Sequence, residues 1–184
     1  MKRLKDSLKE RIALLRLQRG DSEAFGFIYE TYVRQIYRYI YFRISDESAA
    51  HDLVQEVFLQ TWQYIADRNK IDRIQSFLYK VAYRKVVDYY RARERQASLI
   101  EAIEDDGAHA IAPDHRELEV HFLRQHIKKL KQEYQDVIVL RHIESLSIRE
   151  IADIVGKEPN NVRVSLHRAM ESLRKEMDSQ ETHS

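Results

Sequence analysis

Residues 147–169 read SIREIADIVGKEPNNVRVSLHRA, and this stretch decides the fold of the second half of the chain. Ser147, followed three residues later by Glu150, is the capping-box pattern that opens a helix. Ile148, Ile151, Ala152 and Val155 then recur at helical spacing on one face. Gly156 stands where that helix must stop, because glycine tolerates the positive φ of a tight turn. Pro159 fits the first position of a following helix. This second helix turns Val162, Leu166, Ala169 and Leu173 inward at spacings of three and four. Its opposite face carries Asn160, Arg163, Val164, His167 and Arg168. Two short helices joined this way form a helix-turn-helix, whose second member enters the major groove by its amino-terminal end. Arginine there grips guanine bidentately, and asparagine does the same with adenine. A helical hairpin with a solvated polar face fits the same pattern, so at this level both readings stand.

Helical periodicity continues outward from this stretch in both directions. Asp21 or Ser22 caps a first long helix with Phe25, Ile28, Tyr29, Tyr32, Ile36, Tyr37 and Ile40 on one face. A second is predicted over 47–66, with Ala50, Leu53, Val54, Val57, Phe58, Trp62 and Ile65 inward. A third, over 74–95, turns Phe77, Leu78, Val81, Ala82 and Tyr89 to a core. The periodicity fails over 97–114, where Asp105-Asp106-Gly107 and Pro113 mark a linker. Helices are predicted again over 117–131, 133–142, 147–155 and 159–177. Only 4 Gly and 2 Pro in 184 residues argue against a sheet-rich fold, which needs many turns. The expected fold is all-α: two small helical domains, 1–95 and 117–184, joined by an acidic linker, 96–116.

The formal net charge of +1 conceals an asymmetry along the chain. Residues 1–93 carry +6, 94–117 carry −5 and 118–184 carry 0. Phosphate neutralisation supplies much of the affinity for DNA, so a neutral helix-turn-helix half depends on something else to hold it there. The chain has no cysteine, which excludes a disulfide framework, a thiolate metal site and a thiol nucleophile. No apolar run approaches the ~18 residues of a membrane span, and the charged start MKRLKD is not followed by a signal-peptide core. A cytoplasmic protein is therefore expected. His121 and His126 lack the spacing of a metal helix, and no phosphate-cradling glycine loop or GxSxG elbow occurs. The reading is a protein that is not an enzyme, with no cofactor, no metal and no small-molecule substrate.

The first half carries two further signals. Residues 73–93, RIQSFLYKVAYRKVVDYYRAR, hold six Lys/Arg against one acid. Lys80, Arg84 and Arg91 line one side of this helix, with Tyr79, Tyr83 and Tyr90 on or beside it. Cations that follow a backbone, with rings that stack on unpaired bases at ~1–3 kcal/mol each, suit single-stranded nucleic acid. They also suit a base that has left the duplex stack, for which the polar loop 69–72 is well placed. On the preceding helix Asp52, Gln55, Glu56, Leu59 and Gln63 form a separate stripe. An acid-amide stripe with an exposed leucine suits another protein's helix. A solvated helix with half-buried tyrosines is the alternative for 73–93, and a solvated face is the commoner explanation of a stripe like that on 52–63 taken in isolation.

Together these segments resemble the extracytoplasmic-function (ECF) group of bacterial RNA polymerase sigma factors. Residues 46–62, DESAAHDLVQEVFLQTW, are similar to their region 2.2. Residues 76–82, SFLYKVA, with 88–91, DYYR, are similar to regions 2.3–2.4. Leu140-Arg141, 146–152 (LSIREIA) and 162–169 (VRVSLHRA) are similar to region 4.2. The resemblance implies a first domain that binds core RNA polymerase and melts the −10 element, and a second that reads the −35 element of promoter DNA as duplex. By position, Asp52, Gln55, Glu56 and Leu59 would meet the polymerase clamp helices, and the flap is the other polymerase element implied as a contact. Asn69, Lys70, Arg73, Lys80, Tyr83, Arg84 and Asp88 would face the −10 strand. Asn160, Arg163, Val164, His167 and Arg168 would face the −35 element. Arg84 stands where many relatives carry Asn, and Glu158 where an N-capping Ser is usual. The resemblance also implies an anti-sigma partner, often membrane-anchored, and nucleoid association when active. The linker would thread a basic RNA path in the polymerase or serve as a solubilising tether. A stand-alone duplex-binding regulator is the competing class, and it leaves the stripe on 52–63 and the cationic helix unexplained.

Overall fold

The structure, a computed structural model, describes the backbone of residues 2–44, 46–97 and 115–181, and side chains within 8–44, 46–96 and 120–178. The described residues form helices joined by short turns. They are α1 (Lys2–Gln18), α2 (Ala24–Arg43), α3 (Glu47–Ala66), α4 (Ile74–Ala97), α5 (His115–Lys128), α6 (Gln132–Ile138), α7 (Ile148–Val155) and α8 (Pro159–Glu181). A π-helical turn over Val139–Ile143 continues α6.

The first module is built on α2, α3 and α4. Ile28, Tyr32, Ile36 and Ile40 of α2, Val54, Val57, Phe58 and Ile65 of α3, and Leu78, Val81, Ala82 and Val86 of α4 share its core. Asp46 starts α3 by accepting a bond from the Ala49 amide at 2.9 Å, which satisfies one orphan donor of the first turn. Ala13, Leu14 and Leu17 of α1 close the bundle. The expected caps on α2 are not made in that form, since Asp21 spends one carboxylate oxygen on the Glu23 amide and the other on Arg16, 2.7 Å away. The Arg16 hydrogen bond holds the Asp21 carboxyl below its ordinary range. Tyr29 is also not inward, at 44% exposed, whereas Tyr39 and Phe42 are buried.

In the second module Ile127, Val137, Leu140, Ile151, Ile154, Val162 and Ala169 form the core. The capping box is complete: the Ser147 amide donates to Glu150 Oε2 at 2.9 Å and the Glu150 amide to Ser147 Oγ at 3.3 Å. Gly156 ends α7 at φ 68°, in the left-handed region. A methyl group at Gly156 would meet no atom within 4 Å, so a substitution there meets only backbone strain. Gly156→Ala is expected to cost about 1 kcal/mol, read as a lower urea midpoint at an unchanged m-value. The helix expected over 133–142 becomes α6 plus the π turn, which closes with the Glu144 amide on the Val139 carbonyl and Ser145 at φ 56°.

The two modules pack against each other, α5 and the π turn against α2, and α7 against α4, with Tyr39 and Arg43 of α2 bonded to Asp136 of α6. Of the linker expected over 96–116, residues 98–114 lie outside the described residues, while α4 runs on to Ala97 and α5 begins at His115, so both of its ends are helical.

Candidate nucleic-acid and polymerase interfaces

Three faces carry the candidate residues. On α3, Asp52, Gln55, Glu56 and Leu59 are all exposed, with Leu59 at 56%, on the side away from Val54, Val57 and Phe58. Lys85 of α4 reaches Glu56 at 2.6 Å. An exposed pair of this kind contributes at most ~1 kcal/mol, so Glu56 remains free to exchange partners.

The second face begins at the loop between α3 and α4. Arg68 there adopts φ 59°, unusual for a residue with a side chain. Asn69 donates from its side-chain amide to the Tyr64 carbonyl at 3.1 Å, capping the carboxyl end of α3, and Ile71 is buried as an anchor. This fixed loop holds Lys70 and Arg73 outward. Lys80, Tyr83, Arg84 and Asp88 continue along α4 at helical spacing, with Arg84 and Asp88 exposed and Tyr83 half-buried. Burial, then the nearby Asp136 charge, pushes the Tyr83 hydroxyl up.

The aromatic part of the expectation needs correcting. Tyr79, expected beside the exposed cations, is fully buried, and its hydroxyl donates to Glu144 at 2.6 Å. Burial first and Glu144 second raise its pKa, which keeps it a neutral donor. Tyr90 is also largely turned inward, donating to the Arg43 carbonyl. Phe77, expected in the core, is only half-buried and packs on Tyr64 with ring centroids 4.7 Å apart. The second module covers the side of α4 that Tyr79 faces, and a single-helix pattern does not reveal that cover.

The third face lies on the amino half of α8. Asn160, Arg163, Val164, His167 and Arg168 are exposed together while Val162 and Ala169 are buried beneath them. His167 lies 3.6 Å from Glu171.

Between the second face and α7 lies an open cleft of about 510 Å³. Lys70, Arg73 and Lys80 line one wall, and Arg149, Glu150 and Asp153 the other. Arg73 lies 3.7 Å from Glu150, and Lys80 lies 3.1 Å from Asp153.

Charges that sequence reasoning did not single out hold the modules together. Arg43, 1% exposed in its side chain, donates to Asp136 at 2.6 Å and also bonds Gln135. Tyr39 donates to the same Asp136 oxygen at 3.0 Å. Arg38 forks onto both oxygens of Glu144 at 2.7 Å each. Arg124 donates to the Ile44 carbonyl and lies 3.8 Å over the Tyr41 ring. Burial opposes the Arg43 charge most strongly, but Asp136, together with Tyr39 and Tyr90 beside it, holds the guanidinium above its ordinary range. The only sequence signal was a lone arginine and a lone aspartate inside the apolar runs around 39–44 and 136–140.

An all-helical chain with a helix-turn-helix in one module and a cationic helix in the other belongs to a narrow class, and comparison with known proteins names it. The Sigma-70 region 2 profile matches residues 28–96, and the Sigma-70 region 4 profile matches residues 123–173. RNA polymerase sigma factor YlaC of Bacillus subtilis is 30% identical over 156 residues, covering 82% of this chain and 90% of its own. ECF RNA polymerase sigma factor SigW of the same organism is 28% identical over 182 residues, covering 92% and 96%. The solved structure of CnrH in complex with the cytosolic domain of CnrY shares the fold at TM-score 0.73 and 22% identity, covering 93% of this chain and 98% of that one. The chain belongs to the sigma-70 family of RNA polymerase sigma factors, in its ECF group. Its function is thus promoter-specific transcription initiation with RNA polymerase.

Proposed function

We propose that the chain is a dissociable specificity subunit with no catalytic chemistry of its own. The α3 stripe of Asp52, Gln55, Glu56 and Leu59 docks on the polymerase clamp helices, and the second module on the flap. Lys70, Arg73, Lys80, Tyr83, Arg84 and Asp88 engage the −10 strand as it opens, with Asn69 shaping the loop. Asn160, Arg163, Val164, His167 and Arg168 read the −35 element as duplex. One observation supports this reading: α7, Gly156 and α8 present those five residues as a single exposed face on the amino half of α8, the end by which a helix-turn-helix enters a major groove. A protein partner that holds the chain inactive, of the anti-sigma kind, fits the same proposal. No helix among the described residues is long and apolar enough to cross a membrane. The chain would work in the cytoplasm, on the nucleoid when engaged.

Run-off transcription with core polymerase across a random promoter pool tests the proposal, with transcripts expected from a distinct promoter class. Absence of initiation at any site rejects it, and tight sequence-specific duplex binding without polymerase favours the stand-alone regulator. In the same assay Arg163→Ala is expected to relax preference at one −35 position, at ~1–3 kcal/mol. Uniform weakening across promoters would mark Arg163 as a phosphate contact instead.

A further inference from the structure

Helix α1 has two apolar faces, and only one of them meets the bundle. Successive residues turn by about 100° along a helix. Ala13, Leu14 and Leu17 are buried on the inner side. Leu8, Ile12 and Leu15, at spacings of four and three, form a ridge on the opposite side, and all three are exposed. Lys9 and Arg16 flank this ridge on one side and Arg11 on the other, exposed as well. The one acid among the described side chains of α1 is turned away from it: Glu10 is half-buried and accepts the Tyr32 hydroxyl of α2 at 2.6 Å. Residues 1–20 hold seven Lys/Arg against two acids, a net +5. The helix is fixed in this orientation by its buried side chains, by the Tyr32–Glu10 bond and by the Arg16–Asp21 pair at 2.7 Å. The ridge is therefore presented with no ordering left to do.

The chemistry of the strip selects its occupant. None of the residues assigned above to polymerase or promoter lies on α1. A second copy of the chain would set one strongly cationic strip against another. Nucleic acid takes its backbone contacts from polar and cationic groups, which would leave the three aliphatic side chains in water. A protein interface favours aromatic and methionine anchors, and the described strip has neither. An anionic bilayer surface satisfies every part at once. A short apolar ridge buries ~5–10 Å into the boundary between headgroups and acyl chains. Long cationic side chains beside it lay their stems along the apolar layer and keep their charges among the headgroups.

We propose that α1 is a second amphipathic interface that seats the folded chain on an anionic lipid surface: Leu8, Ile12 and Leu15 enter the bilayer boundary while Lys9, Arg11 and Arg16 hold the headgroup phosphates. The helix lies along the surface and leaves α8 and the α4 cations on other sides of the molecule.

Sedimentation of the full chain with vesicles tests this. Vesicles of equal parts phosphatidylglycerol and phosphatidylcholine should bind it roughly tenfold or more tightly than phosphatidylcholine alone. Leu8→Gln with Leu15→Gln should weaken that binding roughly tenfold, and Lys9→Gln with Arg11→Gln roughly fivefold, both with unchanged helical circular dichroism. Lys80→Gln with Arg84→Gln on α4 should change it less than about twofold. The absence of natural cysteines adds a readout that needs no loss of binding. An environment-sensitive dye on Ile12→Cys should shift its emission to the blue on the anionic vesicles, and the same dye on Arg174→Cys, at an exposed position of α8, should not. Should either α1 double variant lose its helical signal, the dye pair alone decides. A parent chain that ignores the anionic vesicles overturns the proposal. So does binding that survives both α1 variants but falls with the α4 variant, or a dye at position 12 that stays in water while the chain sediments. A dye shift produced by a synthetic amphipathic Glu/Leu helix, with none on vesicles, gives the face to an acidic protein partner instead and likewise overturns it. The assay uses neither polymerase nor promoter, so its failure leaves the proposed function untouched.

Discussion

Asp136→Ala is expected to cost the packed form about 3–5 kcal/mol, the range for removing one partner of a buried ion pair. The side chains of Arg43 and Asp136 are 1% and 7% exposed, so the guanidinium left behind has no route to water while the modules stay together. Tyr39, wholly buried, loses the acceptor of its hydroxyl at the same time. The chain has an escape that a single-core protein lacks: it can open. The loss should therefore appear as a shift toward separated modules of a hundredfold or more, at 1.4 kcal/mol per decade. Calorimetry of the parent should show one cooperative transition spanning both modules, and Asp136→Ala should split it, the second module melting first. Arg43→Met with Asp136→Leu removes both charges and fills similar volume, so it should regain most of the coupling. A single unsplit transition in Asp136→Ala would mean that the ion pair does not couple the modules.

This buried ion pair was the part of the molecule least legible in the sequence, and the reason is physical. The helix-turn-helix was readable because its determinants are local: a serine and a glutamate three residues apart, one glycine in a left-handed turn, and apolar residues at spacings of three and four. The exposed faces on α3 and α8 followed from the same periodicity. Tyr79 was misplaced because periodicity assigns a residue to a side of its helix without saying what covers that side. Here the π turn brings Glu144 against it. Arg43 and Asp136 were overlooked because an isolated charge is normally at the surface, and only pairing across ~90 positions makes its burial tolerable. Helix α1 went unassigned because its apolar residues occupy more than one side: Leu14 and Leu17 are buried, while Leu8, Ile12 and Leu15 are 60%, 48% and 55% exposed. Such a pattern gives no single stripe from which to predict the helix.

The second large effect concerns the α3 stripe, where a partner-binding face must be told apart from a solvated one. Asp52→Arg with Glu56→Arg should weaken binding to core polymerase by roughly thirty- to several-hundred-fold, or about 2–4 kcal/mol. Folding should be nearly unaffected, because both residues are exposed and the Glu56–Lys85 pair is a surface contact of small net value. The two effects therefore separate in measurement. A binding titration should show the loss, while thermal melting of the free double variant stays within a few degrees of the parent. Asp178→Arg, an equal kind of charge reversal at the far end of α8, should leave polymerase affinity close to the parent value. Salt supplies an independent check. Attraction between exposed charges is screened with a Debye length of about 8 Å at physiological ionic strength, so parent affinity should fall as salt rises and the variant's should fall less. Leu59→Ala should add a further loss of about 1–2 kcal/mol that salt does not touch, because it removes apolar burial rather than charge. If the charge reversals and Leu59→Ala all leave affinity unchanged, α3 presents a solvated face, and the polymerase must grip the chain through other residues.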